Sequence, residues 1–580
     1  MLVRSAVTKD YMTMVDTSSL IRDLRATLGA KYVLTGARQT ARYRKGIRFG
    51  DGQVLAVLRP GSLVEQWRAL RLCHAAGVII IMQAANTGLT GGSTPDGNDY
   101  DRPIVIINGM RIAKLHVLPG AEQVVALPGA TLFQLEKTLR PLGREPHSVI
   151  GSSCIGASVT GGIANNSGGA LIRRGPAFTQ LALYARVNEQ GEVELINHLG
   201  IRLGNDPETI LARLEAGNFP AAEIEHPRDR AASDPDYGTH VRDISAPTPA
   251  RFNADPRRLF EAAGSAGKVM IFATRLDTFP ADKTTAVFYI GSNNADELTT
   301  IRRHILATFK NLPVAGEYIH RTAFDIAVKY GKDMFVAIEK LGTDRLPALF
   351  ALKGRFDAFA SRIPFLPRDL SDRLMQFAGS FFPQHLPPRL LAYRDRYEHH
   401  LLLKTSGEGI AEACAYLQSL FPSAGGDYFE CTPQEGAKAF LHRFAVAGAA
   451  IRYRAMHRDT VEDIVALDIA LRRNDTAWEE HLPEDVSAPI LHKLYYGHFF
   501  CHVFHQDYIV AKGHDPMAIE HKMWKLLDAR GAEYPAEHNV GHLYKAKPAL
   551  AAHYKALDPC NCFNPGIGQT SKFACWGEAA

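Results

Sequence analysis

The chain of 580 residues is 46% hydrophobic and 22% charged, an ordinary globular composition that excludes disorder, a collagen-like fibre and a small disulfide scaffold. Its 66 basic and 61 acidic residues leave a net +5, which directs a partner only if gathered in one segment. Eight cysteines form no regular framework, with only Cys560 and Cys562 close together, so reduced, cytosolic thiols are expected.

The opening MLVRSAVTKDYMTM lacks the apolar core of a secretory signal, because Lys9 and Asp10 interrupt it. No run reaches about 18 uncharged apolar residues, so a soluble or surface-bound chain is expected. Leu55-Ala-Val-Leu58 is expected as a strand and Pro60-Gly61 as a turn. Ser62-Leu-Val-Glu65 then reads as a capping box, in which each side chain satisfies the other's free backbone donor. Leu63, Trp67 and Leu70 follow at helical spacing, and Val78 to Ile81 gives the next strand. The unit recurs with Val124 to Leu127, Pro128-Gly129 and the box Thr131-Leu-Phe-Gln134. Such repeated strand–turn–helix units indicate an α/β or α+β domain.

Residues 277–320 read as strand and helix again, with Ala286 to Ile290 the clearest strand. From about 321 to 396 the character changes. Between Arg345 and Arg396 nine basic residues face four acids, so this stretch alone carries the chain's whole net charge. Seven phenylalanines are interleaved with them: Phe350, Phe356, Phe359, Phe365, Phe377, Phe381 and Phe382. Basic, aromatic amphipathic helices bind anionic lipid surfaces; an ordinary helical lid with core phenylalanines is the alternative, and no nucleic-acid motif accompanies the charge.

Two glycine-rich loops stand where chemistry is expected. The first, Gln83 to Ser93, follows the Val78–Ile81 strand directly, and its small residues let backbone N–H groups close around a pyrophosphate. The second, Gly151 to Gly169, has six glycines in nineteen residues. Neither is a G-x-G-x-x-G turn, and Gly264-Ser-Ala-Gly-Lys268 fails as a phosphate loop because Ala262 and Val269 occupy its outer positions.

The two loops, with Gly264 to Ile271 and the closing Asn564-Pro-Gly-Ile-Gly568, resemble the FAD-binding domain of the vanillyl-alcohol oxidase and p-cresol methylhydroxylase (PCMH) superfamily. HSVIGSSCIGASV, YGHFF, PAEHNVGHLY and NPGIGQTSK are similar, within it, to the respiratory, quinone-reducing D-lactate dehydrogenases. That resemblance implies an α+β chain. A two-subdomain PCMH-type FAD-binding domain would span 1–276, completed by 529–580. An α/β cap, or substrate, domain with an antiparallel sheet would span 277–320 and 396–528, and a helical, electropositive membrane-binding segment 321–395. It places FAD against Ala84, Ala85, Asn86, Thr87, Gly88, Gly92 and Ser93 of the first loop, Gly151, Ser158 and Gly168 of the second, and Ile271. Some relatives attach FAD through a histidine in the first loop; residues 83–93 hold none, so noncovalent FAD is expected.

Gly497 to His505 matches in length the GHxGDGNxH motif of metal-dependent 2-hydroxyacid dehydrogenases, keeping His498 and His505 but replacing the central GDGN. Glu537-His538-Asn-Val-Gly541 resembles EHGIG, in which the glutamate binds metal and the histidine is the base. The resemblance therefore implies His538 as base. His498, His505 and Glu537 are chemically a sound set for a divalent metal such as zinc, though with GDGN lost a bound metal and metal-free structural histidines both stay open. A hydroxy acid also needs a cation for its carboxylate. If Ala450 to Ala455 is a strand, Arg452 and Arg454 share one face, and Arg452 is preferred. The reading is oxidation of D-lactate to pyruvate by hydride transfer to FAD, followed by reduction of membrane quinone at the cytoplasmic face of the inner membrane, on an anionic phospholipid surface. A soluble FAD dehydrogenase for 2-hydroxyglutarate or glycolate is the alternative, and a flavin-bearing membrane-binding protein without turnover is a third reading.

Overall fold

In the computed structural model the described residues are 16–147, 155–342, 346–360, 363, 369–537 and 540–577. Three sheets organise them. The first has strands Val33–Leu34, Ala56–Leu58, Ile104–Asn108 and Ile79–Gln83 in that spatial order, the last three parallel. Unbroken apolar runs suit such strands because both faces are covered. Ile80, Val105 and Ile107 pack under helices Thr17–Leu28 and Leu63–Ala75, while Ile79, Ile81 and Ile106 pack beside Tyr43 on the other face. The expected box at Ser62 forms by half. Ser62 caps the Glu65 N–H, but the Glu65 carboxylate turns to the Gly61 N–H at 2.6 Å. At Thr131 and Gln134 both halves are present.

The second sheet is antiparallel, with strands Leu115–Val117, Gln123–Ala126, Met270–Asp277, Ala182–Val187 and Val193–Asn197 side by side. Trp67 reaches from the helix of the first sheet to Phe272 of the second, ring centroids 6.3 Å apart. The C-terminal segment returns to this half. Cys562 O accepts from Ile80 N at 3.0 Å, and Asn564 N donates to Ile80 O at 2.9 Å.

The third sheet is seven-stranded and antiparallel, in the order Gly426–Glu430, Thr285–Ser292, His399–Ser406, Ala315–His320, Ile490–His498, Val503–Ala511 and Val461–Ala470. Side chains alternate between two cores, as a pleated strand requires. Leu401 and Leu403 pack with helices Ala295–Thr308 and Gly409–Leu420, whereas Leu402 packs with helices Arg321–Tyr330 and Pro433–Met456.

The described residues of the basic segment hold five helices, Arg321–Tyr330, Lys332–Leu341, Leu346–Ala360, Leu370–Ser380 and Pro388–Arg396, with a non-helical stretch at 381–387. Acids within and beyond it answer part of its charge: Arg394 pairs with Asp325 of its own first helix, Arg396 with Asp427 and Arg389 with Glu435. Phe324, Phe335 and Tyr393 join the core, but Phe359, Phe377 and Phe381 are left outside, 61%, 66% and 71% exposed. Arg345, Arg362, Phe365 and Arg368 lie outside the described residues. Among the described residues no helix is long and apolar enough to cross a membrane.

One expected strand is overturned. Ala450 to Ala455 is the last part of the helix Pro433–Met456, so Arg452 and Arg454, two residues apart, do not share a face. The helix starts far upstream, at the box of Thr432 and Glu435 with Pro433 in the first turn, and buries Ala439, Val446 and Ala450 at helical spacing.

Candidate active site

The first glycine loop is pinned at both ends by amides. Gln83 donates to Tyr43 O and Ser93 O, and Asn108 donates to Ala84 O. Between them Asn86 takes a left-handed φ of 53°, its amide on Lys45 O and its oxygen receiving Ser93 Oγ. Gly91 has no alternative: at φ 75° a Cβ would sit 2.5 Å from Phe49 O. Asn564 then ties this loop to the turn before strand Met270–Asp277, donating to Gly92 O at 2.9 Å and to Ala266 O at 2.7 Å. The second loop meets the same turn. Ser158 caps a short helix, Val159–Ala164, whose Ile163 and Ala164 carbonyls accept from Gly264 N and Ala266 N.

Along this seam the buried oxygens of Thr160, Asn165, Asn166, Ser265 and Asn564 have no hydrogen-bond partner among the described residues. Unpaired buried polar atoms are costly, and so many at one seam fit a polar group carried by a ligand. Small residues and free hydrogen-bonding oxygens between two sheets suit a dinucleotide, so the residues fit FAD. Ile271 lies in the same region, paired with Tyr184, its carbonyl 3.4 Å from Gln66 Nε2. Gly151 is outside the described residues.

The histidines converge on the third sheet. Strands Ile490–His498 and Val503–Ala511 form a hairpin whose register sets Tyr496 opposite His505. Where the GDGN is lost, Phe499, Phe500 and Cys501 fill a fully buried turn, and His502 completes it at φ 53°. The hairpin still brings His498 Nε2 within 3.3 Å of His505 Nε2. Behind them, His498 Nδ1 lies 2.6 Å from Glu317 Oε1, and Arg443 holds the other Glu317 oxygen at 2.8 Å. His505 Nδ1 lies 2.9 Å from Asp468, whose second oxygen accepts the Glu537 N–H. Burial pushes the Glu317 carboxyl up, but Arg443 and His498 outweigh it and hold it at about 2. Burial lowers His498, against the pull of Glu317.

Carboxylates only accept, so each Nδ1 carries the hydrogen and the two Nε2 atoms face each other. At 3.3 Å the two Nε2 atoms are within hydrogen-bond reach of each other.

Glu537 does not join the pair. Its carboxylate pairs with the fully buried Arg251 at 2.7 Å, and Arg251 also donates to Gly169 O and Leu171 O. Gly168 is what lets it approach, since a Cβ there would sit 2.2 Å from Glu537 Oε1. Among the described residues no three His, Cys, Asp or Glu side chains make a metal-ligand set. The donors present therefore do not fit the expected metal, and the expected ligation by Glu537 is corrected by Arg251, which claims its charge. His538 lies outside the described residues. Arg452 is corrected too: it is spent on Asp333 at 3.0 Å and Asp372 at 2.9 Å in the basic segment, and Arg454 pairs with Asp463.

The sequence reading missed Glu317, Arg443, Asp468 and Arg251, which build the site from four separate stretches. It also missed Arg48, an exposed residue near Asp507 and Glu520, whose guanidinium donates to Ile464 O and has no carboxylate partner among the described residues. No local motif marks any of them.

The chain matches known proteins along most of its length. Residues 287–576 match the family model described as D-lactate dehydrogenase, membrane binding, and residues 54–196 match an FAD binding domain. The chain is 60% identical to the quinone-dependent D-lactate dehydrogenase of Escherichia coli (strain K12), over 98% of this chain and 99% of that one. It is 58% identical to the enzyme of the same name from Haemophilus influenzae, over 96% and 99%. Among solved structures, p-cresol methylhydroxylase with substrate bound superposes with a TM-score of 0.56 at 12% identity, covering 96% of this chain and 97% of that one. The 4-ethylphenol oxidase of Gulosibacter chungangensis gives a TM-score of 0.54 at 13% identity, over 95% and 96%. At such identities the structural likeness speaks for the fold alone.

Proposed function

Because the chain belongs to the quinone-dependent D-lactate dehydrogenases, we propose that its D-lactate is oxidised at the paired imidazoles of His498 and His505, beside the two FAD-holding loops. The protein is a respiratory FAD enzyme that oxidises D-lactate to pyruvate and reduces quinone. The observation that carries the site is the close pair of imidazoles, Nε2 to Nε2 at 3.3 Å, braced from behind by Glu317 and Asp468.

Bound FAD supplies the acceptor for the hydrogen on C2 of the substrate. The protein's own groups prepare that hydrogen to leave. His538 is proposed as the base for the substrate hydroxyl; its neighbour Glu537 is fixed at the site through Arg251 and Asp468. His505, oriented by Asp468, is proposed to hydrogen-bond the substrate oxygen as it becomes negative. No step is built on a metal.

For the substrate carboxylate we propose Arg48 in place of Arg452. Arg48→Met should raise KM for D-lactate at least about tenfold, because a charged hydrogen bond contributes roughly 1.5–3 kcal/mol. Arg452→Met should leave KM unchanged. Steady-state kinetics with a soluble dye acceptor check both, and the reverse pattern would return the role to Arg452.

FAD is proposed to be noncovalent, held by Ala84 to Ser93, Ser158, Gly168 and Ile271. Acid precipitation should release all the yellow colour, and anaerobic D-lactate should bleach the flavin spectrum of the intact protein. Flavin retained on the pellet, or a spectrum unmoved by D-lactate, counts against this. The protein is a peripheral membrane protein through its membrane-binding region. We place it on anionic phospholipid at the cytoplasmic face of the inner membrane, supported by the helices of 321–396 and their exposed phenylalanines.

A further inference from the structure

Three of the chain's cysteines, from two positions in the C-terminal segment, come together away from the substrate site. Cys562 and Cys575 lie beside Cys560, whose thiol donates to Asn188 O at 3.4 Å. The backbone brings Cys575 there directly, its N–H donating to Cys560 O at 2.9 Å. The residue between the close pair, Asn561, is held on every side. Lys268 donates to its side-chain oxygen at 2.7 Å, Arg102 to its carbonyl at 3.0 Å, and its own amide donates to Ser571 O and Phe573 O. Arg102 therefore brings positive charge to a thiol cluster whose outer member, Cys575, is exposed and whose Cys560 is half-buried. None of this serves lactate oxidation.

Position makes the cluster consequential. Cys562 is bonded to the strand that leads into the first FAD loop, and Asn564, two residues on, ties that loop to Ala266.

We propose that Cys560 is a peroxide-reactive thiol and that Cys575 resolves it as a disulfide. In the first step the Cys560 thiolate attacks one peroxide oxygen, an S–O bond forms, the O–O bond breaks and hydroxide leaves. Cys560 is oxidised by two electrons to the sulfenic acid and the peroxide is reduced. In the second, Cys575 Sγ displaces that oxygen, forming the S–S bond, and the oxygen departs as water with the Cys575 proton. Thiols of this behaviour are low in pKa, accessible and beside a resolving partner. Cys562 beside it, with smaller help from Arg102 and Cys575, brings the Cys560 thiol below the ordinary thiol range, whereas Cys562 is raised in return and burial raises Cys575.

The test uses the full-length, FAD-loaded protein treated with hydrogen peroxide near neutral pH. A non-reducing peptide map should show Cys560 linked to Cys575, with the intact mass lowered by two hydrogens. Cys575→Ser should stop at a Cys560 sulfenic acid captured by dimedone; Cys575→Ala, should the serine perturb the fold, should do the same. Alkylation by iodoacetamide should mark Cys560 about ten times faster than the similarly half-buried Cys414, the advantage expected of a thiolate-rich sulfur. The proposal fails if the mapped bridge is Cys560 to Cys562, if no bridge forms, or if Cys560 reacts no faster than Cys414.

Discussion

Replacing His505 with alanine should slow flavin reduction by D-lactate by about 10²- to 10³-fold while the FAD content stays at that of the parent protein. The size follows from what is removed: a positioned hydrogen-bond donor aimed at a developing negative oxygen, whose loss costs about 3–4 kcal/mol in comparable sites. His538→Ala should produce a loss of similar order, because a positioned base contributes about 10²- to 10⁴-fold. The two should not multiply, since both act on the same oxygen and its proton. Anaerobic stopped-flow mixing with D-lactate reads the reductive step alone. A His505→Ala protein reduced at near-normal rate would remove His505 from the chemistry, and a normal His538→Ala protein would remove the base.

The Glu317 carboxylate gives the same site a pH signature. It is held at about 2 in the folded protein, so it stays ionised and keeps His498 oriented through the whole neutral range. His498 is lowered by burial, so it is uncharged at neutral pH and gains a proton only as the pH falls. Reduction should therefore weaken toward acid pH, as the His498 ring beside His505 is protonated.

The local parts of this molecule were legible because local chemistry writes them. The box at Thr131 and Gln134, the strand after Val78 and the strand at Ala286 each rest on a few neighbouring residues, and all three are present with ends shifted by one or two positions. The histidine pair was legible for a different reason: the register of a hairpin fixes which residues oppose, so His498 and His505 meet even though the residues between them have changed. What escaped was contact across distance. Arg443 touches Glu317 from a helix more than a hundred residues later, and Arg251 neutralises Glu537 across a still longer separation. Arg452 shows the opposite failure. Its neighbours alternate like a strand, but the cap that makes them a helix lies about twenty residues upstream, and the acids that claim its charge, Asp333 and Asp372, sit on other helices.

Changing Phe356, Phe359, Phe377 and Phe381 together to serine should release the protein from anionic vesicles. These rings stand exposed on the two helices Leu346–Ala360 and Leu370–Ser380, where packing within the protein has not used them. Beneath them Lys353 bridges Asp357 and Asp372, and Arg452 bridges Asp333 and Asp372, so the same helices are fastened to each other and to helix Pro433–Met456 from inside. The mutation therefore takes apolar surface from the outer face and leaves the internal ties in place. Fully burying one such side chain contributes roughly 1.5–3 kcal/mol, so four rings inserted by half contribute about 3–6 kcal/mol, or a hundredfold and more in vesicle partition. Charge adds to this but does not replace it: Arg394, Arg396 and Arg389 are already paired with Asp325, Asp427 and Glu435. Replacing Arg355, Arg362, Arg368 and Arg373 with Gln should accordingly weaken binding most at low salt, by roughly 1 kcal/mol per charge near the surface, and little at high salt. Turnover with a soluble dye should survive the serine changes, because the rings lie on helices that contribute nothing to the His498 and His505 pair. Quinone reduction in membranes should fall with the loss of binding. A quadruple serine protein that still sediments with anionic vesicles at high salt would show that the exposed rings are not what enters the lipid, and the docking surface would have to be sought on another face.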